Sequence, residues 1–159
     1  MIMIIGVVYT LALSNFSRLK DESTRLTLQN LKEYLSSLSH TQSAKILCLD
    51  ACSECDIIVD GTKLKTLENF LDESVQVYRY EFTYGASQAQ KEIYFNQDDV
   101  EEDVCFSYGV DKNGVGNQVL VEFKDKVYDF SSYFTTTAVY SSMADATSAR
   151  EELQREVMQ

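Results

Sequence analysis

Lys45-Ile-Leu-Cys-Leu-Asp-Ala-Cys-Ser-Glu-Cys55 is the stretch on which the reading of this chain turns. A short apolar run, Ile46–Leu49, ends at Asp50 and opens into a segment carrying Cys52 and Cys55. Uninterrupted apolar character over so few residues reads as a buried strand. In open α/β sheets the ligand crevice lies outside the carboxyl ends of such strands. Asp50 is therefore the first candidate ligand-binding residue.

Working outward, the flanking segments alternate in period. Ile2–Thr10 is nearly continuous in Ile, Val and Tyr, as in a strand covered on both faces. Ser14–Lys20 is a polar loop, and from Asp21 the pattern turns helical, with Leu28, Leu31, Leu35 and Leu38 on one stripe. After the strand Ile46–Leu49, Leu64, Leu67 and Leu71 predict a helix over Thr62–Glu73. Ser74–Tyr84 predicts a strand, and Gly85 breaks it ahead of a short helix over Ala86–Glu92. Strand and helix in strict alternation argue for a parallel sheet with right-handed crossovers. The expected fold is thus α/β: a Rossmann-like three-layer βαβαβα sheet.

The remainder predicts an antiparallel β-meander and a closing helix. Val104–Tyr108, Gln118–Phe123 and Val127–Phe134 are strand candidates, punctuated by Asn113-Gly114 and by Lys124-Asp-Lys126. Ser142 and Asp145 stand at capping-box spacing ahead of a helix running to Val157, with Ala146, Ala149, Leu153 and Val157 inward. No linker or repeat divides residues 1–159, so a single domain is expected.

The chain of 159 residues has a net charge of −11, and within residues 61–110 four Lys and Arg stand against ten Asp and Glu. Asp98–Asp103 holds five acids in six positions. Direct nucleic-acid binding needs clustered Lys and Arg and is not expected. An anionic membrane surface is disfavoured on the same ground. A protein partner with a basic surface is compatible, although acidity also serves solubility alone. Met1–Leu13 is apolar enough for the core of an export leader, with Ala12 and Ser14 as small residues near its end. It has no preceding Lys or Arg and is too short to span a bilayer, so it reads as the first strand. A cytoplasmic protein with reduced thiols is the resulting expectation.

Cys48, Cys52, Cys55 and His40 raise three chemistries. Cys52-Ser-Glu-Cys55 has redox spacing, but the chain contains no proline to supply the cis-proline that faces a thioredoxin-type pair. A structural zinc site needs a second pair of ligands, which is missing. Leu47-Cys-Leu-Asp-Ala-Cys52 is similar to the nucleophile strand of caspase-like proteases, yet His40 lacks the following glycine and no other histidine could activate a thiol. No metal site is assigned.

Over residues 2–111 the order of elements resembles that of family-2 type glycosyltransferases of the GT-A fold. Ile46–Ser53 is similar to the strand end at which that family holds the nucleotide. Gly85-Ala-Ser-Gln-Ala-Gln-Lys91 is similar to its glycine-initiated helix. The resemblance implies Asp50, Gly85 and Asp111 as ligand-binding residues, with Mn or Mg and a nucleotide sugar as cofactor and substrate. Tyr108-Gly-Val-Asp111 supplies one acid where the family's metal motif has two, and the chain lacks the length for an acceptor site.

Tyr78, Tyr80, Phe82 and Tyr84 alternate, so an extended strand would place them on one face. With Asp98, Asp99, Glu101, Glu102 and Asp103 they form the candidate partner surface. The function expected is that of a small acidic non-enzymatic protein binding another macromolecule, an inhibitor or accessory protein such as viruses encode. The alternative is the glycosyltransferase-like enzyme.

Overall fold

Asp60 and Gly61 both take left-handed backbone conformations, with φ of 48° and 81°. This is the signature of a two-residue type I′ turn, which folds a strand straight back on itself. The segment after it is accordingly a strand and not the expected helix. The computed structural model describes residues 25–96, 98–131 and 136–158. The expected strand Ile2–Thr10 lies outside them.

The elements run α1 (Leu31–Ser37), β1 (Ser43–Leu49), β2 (Glu54–Val59), β3 (Thr62–Glu68), β4 (Gln76–Glu81), β5 (Gly85–Gln88), β6 (Glu92–Phe95), β7 (Glu101–Asp111), β8 (Leu120–Phe123), β9 (Lys126–Asp129), β10 (Ala138–Tyr140) and α2 (Met143–Val157). They build two five-stranded sheets, ordered β3-β2-β1-β7-β6 and β10-β9-β8-β4-β5. Every pairing between these strands is antiparallel. The Rossmann-like α/β expectation is therefore wrong: no parallel crossover joins any of these strands.

The misread helices have local causes. Leu67 sits opposite Cys55 and reaches the core, whereas Leu64 is the extra residue of a bulge between Ile57 and Ile58 and is 56% exposed. The bulge takes Leu64 out of the ladder, so the two leucines do not form one buried stripe. Gly85, expected to start a helix, instead has φ of 73° and closes the three-residue turn Phe82–Tyr84 between β4 and β5. Lys124 and Asp125 form the expected turn between β8 and β9, both with positive φ. Asn113-Gly114 also turns the chain, with the Gly114 N–H donating to Asp111 O at 2.9 Å. It carries the chain from one sheet to the other.

The inner face of the first sheet presents Ala44, Ile46, Cys48, Ile57, Phe106, Tyr108 and Val110. Against it lie Leu28, Leu31 and Leu35 from the α1 region and Val119, Val121, Phe123 and Phe130 from the second sheet. The leucine stripe read from the sequence is thus real, although the helix is confined to seven residues. Leu47, on the opposite face of β1, is also 94% buried (6% exposed), which is why the strand reads as an unbroken apolar run. The outer face of the second sheet carries α2. Ser142 caps that helix by accepting from the Asp145 N–H, as the sequence spacing indicates. Ala146 packs on Leu120 and Val127, but Val157 at the other end of the expected inward stripe is 81% exposed.

The expectation of reduced thiols is also overturned. All four cysteines are bridged, Cys48 to Cys55 and Cys52 to Cys105. Cys48 and Cys55 are cross-strand partners with Cα atoms 4.0 Å apart. Cys52, in the turn after β1, ties that hairpin to β7. The two members of the Cys-x-x-Cys pair thus belong to different bridges.

Tyr108 is fully buried with its ring 4.5 Å from that of Phe130, and its hydroxyl has no hydrogen-bond partner among the described residues. Burial raises its pKa far above the ordinary phenol value. A Cβ on Gly116 would meet this hydroxyl at 2.0 Å. Gly116→Ala should cost about 1–3 kcal/mol by overpacking in urea unfolding, and only part of that loss should be recovered beside Tyr108→Phe, because the ring Cζ would still lie 2.7 Å from the new Cβ. Tyr108→Phe alone should be neutral or stabilising, because it removes an unpaired buried group. Disulfide loss should follow loop length. With separations of 7 and 53 residues, chain entropy assigns about 2 kcal/mol to Cys48–Cys55 and about 4 kcal/mol to Cys52–Cys105. Paired Cys→Ser variants compared by urea unfolding test that order.

Candidate functional site

The three residues singled out as ligand-binding do not come together. Asp50 stands in the turn after β1 with φ of 52°. It lines a small cleft of about 140 Å³ that also exposes Arg79 and Lys91. Asp111 is at the far end of the same ladder, opposite Ser43, whereas Leu49 beside Asp50 pairs with Val104. Six strand steps separate those ends, roughly 20 Å at the strand rise of about 3.3 Å. Gly85 lies in the other sheet. The βαβαβα order on which the glycosyltransferase resemblance drew is absent from the described residues.

Asp111 serves its own turn. Its Oδ1 accepts from the backbone N–H groups of Val115 (2.9 Å) and Asn113 (2.8 Å), which hold its carboxyl below the usual range. Asp60 does the same at the entry to β1, accepting from the N–H groups of Thr41, Gln42 and Ser43, and is held well below the usual carboxylate range by them. His40 bridges these two regions. Its Nε2 faces Asp111 O at 3.0 Å and its Nδ1 faces Leu38 O at 2.6 Å. Two carbonyls on two ring nitrogens require both to donate, which favours the imidazolium. The Asp111 carbonyl first and the Leu38 carbonyl second raise its pKa. His40 is a structural clasp rather than a free solvated histidine.

The aromatic row is split. Tyr78 and Tyr80 lie half-buried on the outer face of the second sheet, among residues packed against Ala146 of α2. The Tyr78 hydroxyl donates to Glu122 at 3.1 Å. Phe82 and Tyr84 fall in the turn beyond β4 and are 63% and 82% exposed.

The acidic run and a neighbouring apolar strand meet on one hairpin. β6 is the edge strand of the first sheet. Ile93 pairs with Asp103 and Phe95 with Glu101, so these four side chains share a face. All four are exposed, Ile93 at 57% and Phe95 at 60%. Val100, Asp98 and Asp99 extend this surface through the turn and are also exposed. Glu102 points to the other face and accepts from Asn96 Nδ2 at 2.9 Å. The Asn96 Oδ1 accepts from the N–H groups of Asp98 and Val100, fixing the turn. Among the described residues no strand pairs with the other edge of β6, whose backbone donors and acceptors face away from β7. Ile93, Phe95 and Val100 escaped the sequence reading, because a helix was drawn through the start of this hairpin. The alternation Ile93-Tyr-Phe95 beside the acids was the available signal.

A second set of residues also went unread. Asp129 is buried at 6% exposure and receives Arg150 from α2, Nε donating to Oδ2 at 3.1 Å and Nη2 pairing with Oδ1. Lys32 of α1, equally buried, donates to Ser131 O at 3.0 Å, and burial lowers its pKa while Asp129 acts to raise it. Only tertiary structure brings together residues so far apart in sequence. Removing one member of a buried ion pair typically costs about 3–5 kcal/mol.

Among the described residues no cluster of three or more His, Cys, Asp or Glu could hold a metal ion, and no helix is long and apolar enough to cross a membrane. Set against protein-family models, curated proteins and solved structures, the chain finds no match in any of the three.

Because its folded pKa is raised above about 6.5, His40 contributes stability that is complete below that pH and is lost as pH rises through the folded value. The melting temperature of the wild type should therefore exceed that of His40→Gln by more at pH 5.5 than at pH 8.5. A gap that widens toward alkaline pH would contradict the imidazolium.

Proposed function

We propose that this chain is a disulfide-braced acidic interaction domain whose β6–β7 hairpin binds a protein carrying an apolar centre within a basic surface. The observation that carries the reading is the shared face of Ile93, Phe95, Glu101 and Asp103 at a sheet edge that is unpaired among the described residues. The apolar pair supplies area to bury, about 25 cal/mol per Å² removed from water. The flanking carboxylates supply orientation and a faster encounter with a cationic partner. They also oppose self-association, since a second copy would bring the same acids edge to edge. The net charge of −11 extends that preference over the whole surface.

Two disulfides support residence in an oxidising compartment, where such bonds persist. On this reading the apolar composition of Met1–Leu13, followed by Ser14, suits an export leader.

Two variants test the interaction by affinity capture from the native extract or secretion, with the full oxidised chain as bait. Ile93→Ser with Phe95→Ser removes the apolar centre. Asp98→Asn, Asp99→Asn, Glu101→Gln and Asp103→Asn together remove the charge. A partner should be retained by the wild type, lost with the first variant, and weakened with the second to the extent that 0.5 M salt weakens the wild type. A partner held equally by all three baits would place the interface elsewhere.

A further inference from the structure

We infer, on the reading that the β6–β7 hairpin is the interface, that its partner adds an extended segment to β6 as a further antiparallel strand, with Lys or Arg at the two alternate positions opposite Ile93 and Phe95. The backbone of β6 is turned for it. The Asn96 N–H donates to Val100 O at 3.0 Å, one rung beyond the pair Phe95 and Glu101. Hydrogen-bonded and non-hydrogen-bonded rungs alternate along an antiparallel ladder. Phe95 opposite Glu101 and Ile93 opposite Asp103 are therefore rungs without bonds between β6 and β7. The Asp103 carbonyl agrees, since it accepts from the Asp50 N–H on the β1 side of β7 at 2.9 Å. The N–H and C=O of both Ile93 and Phe95 thus point to the edge of β6 that no described strand pairs. Two residues of an added antiparallel strand, two positions apart, would exchange both bonds with them.

Charge decides what those two residues are. Residues 92–103 hold six acids and no Lys or Arg. The six are not equally available. Glu102 already accepts from Asn96. Glu92 enters a cleft with Asp50 and Glu73, where Arg79 and Lys91 come close to balancing the three carboxylates. Asp98, Asp99, Glu101 and Asp103 are exposed and form no ion pair among the described residues. Glu101 and Asp103 lie on the face of Ile93 and Phe95, one strand behind them. An added strand would lie two strand spacings, roughly 10 Å, from β7. A Lys or Arg opposite Ile93 or Phe95 spans that distance, its methylene stem over the apolar side chain and its charged head on the carboxylate. An acidic residue there would meet like charge. The residue between the two cations points to the opposite face, beside Tyr94.

The test uses the full oxidised chain and a dansyl-labelled peptide, Thr-Arg-Val-Arg-Thr, read by fluorescence anisotropy. Binding should be saturable and should weaken in 0.5 M salt. The isomer with its two arginines adjacent should bind at least about fivefold more weakly, because one cation then leaves the acidic face. N-methylation of both arginine amides, whose N–H groups face β6, should weaken binding at least about tenfold. N-methylation of the valine and final threonine amides, which face away, should change it by less than about twofold. Ile93→Pro and Ile93→Ala both lose the side chain, but only proline loses the outward N–H, a substitution an edge strand tolerates. Ile93→Pro should bind about fivefold more weakly than Ile93→Ala at a similar melting temperature. If Ile93→Pro does not fold, the methylated peptides decide. Absence of saturable binding, equal binding of the two isomers, or a loss from the outward methyl groups as large as from the inward ones overturns the proposal. A natural partner lost with Ile93→Ser and Phe95→Ser, yet held by Ile93→Pro as well as by Ile93→Ala, would keep the hairpin as the interface and overturn strand addition alone.

Discussion

The antiparallel ladder between β1 and β7 is the constraint from which the rest of the molecule follows. It holds register from Ser43 opposite Asp111 to Cys48 opposite Phe106, and a bulge at Cys105 then sets Leu49 opposite Val104. Its inner face supplies Ile46, Cys48, Phe106 and Tyr108, all buried to 1% exposure or less. The α1 region and the second sheet bury their own apolar residues against that face. On its two flanks it seats β2, beside β1, and the edge strand β6, beside β7. Both disulfides converge on it, one linking β1 to β2 and the other the β1–β2 turn to β7.

Much of the local structure was legible in the sequence. The strand Ile46–Leu49, the leucine stripe, the turns at Gly114 and Lys124–Asp125, and the capped final helix are all present. The sheet's direction was not legible from β1 itself. Leu47 is buried on the face away from the main core, so β1 lacks the alternation that marks an antiparallel strand covered on one side. The deciding signal lay elsewhere, in Asp60-Gly61, a strong hairpin pair that a three-residue leucine spacing obscured. Leu64 belongs to that spacing only in sequence, since in the fold it is the extra residue of a bulge opposite Ile57 and Ile58.

The candidate sites divide the same way. The acids of the β6–β7 hairpin were visible as a charge run, because charge density is a property of sequence. Their apolar companions Ile93 and Phe95 became meaningful only once β6 proved to be an edge. Asp50 and Asp111 looked like a pair only on the assumption of a parallel sheet, which would have gathered strand ends at one crevice. In an antiparallel ladder they stand at opposite ends. Lys32, Asp129 and Arg150 were beyond reach, since nothing in their spacing announces that they meet.

The Cys52–Cys105 bridge has a consequence for durability. It closes a covalent ring that contains β2 through β6. Two exposed turns, Phe82–Tyr84 and the one carrying Asp98–Val100, fall inside that ring. Exposed turns are where proteases nick a chain first. A single cut at either turn would leave the two pieces covalently joined across the bridge, with no fragment free to diffuse away. The hairpin that carries the exposed acids is thus a part of the chain where one cleavage does not divide the molecule.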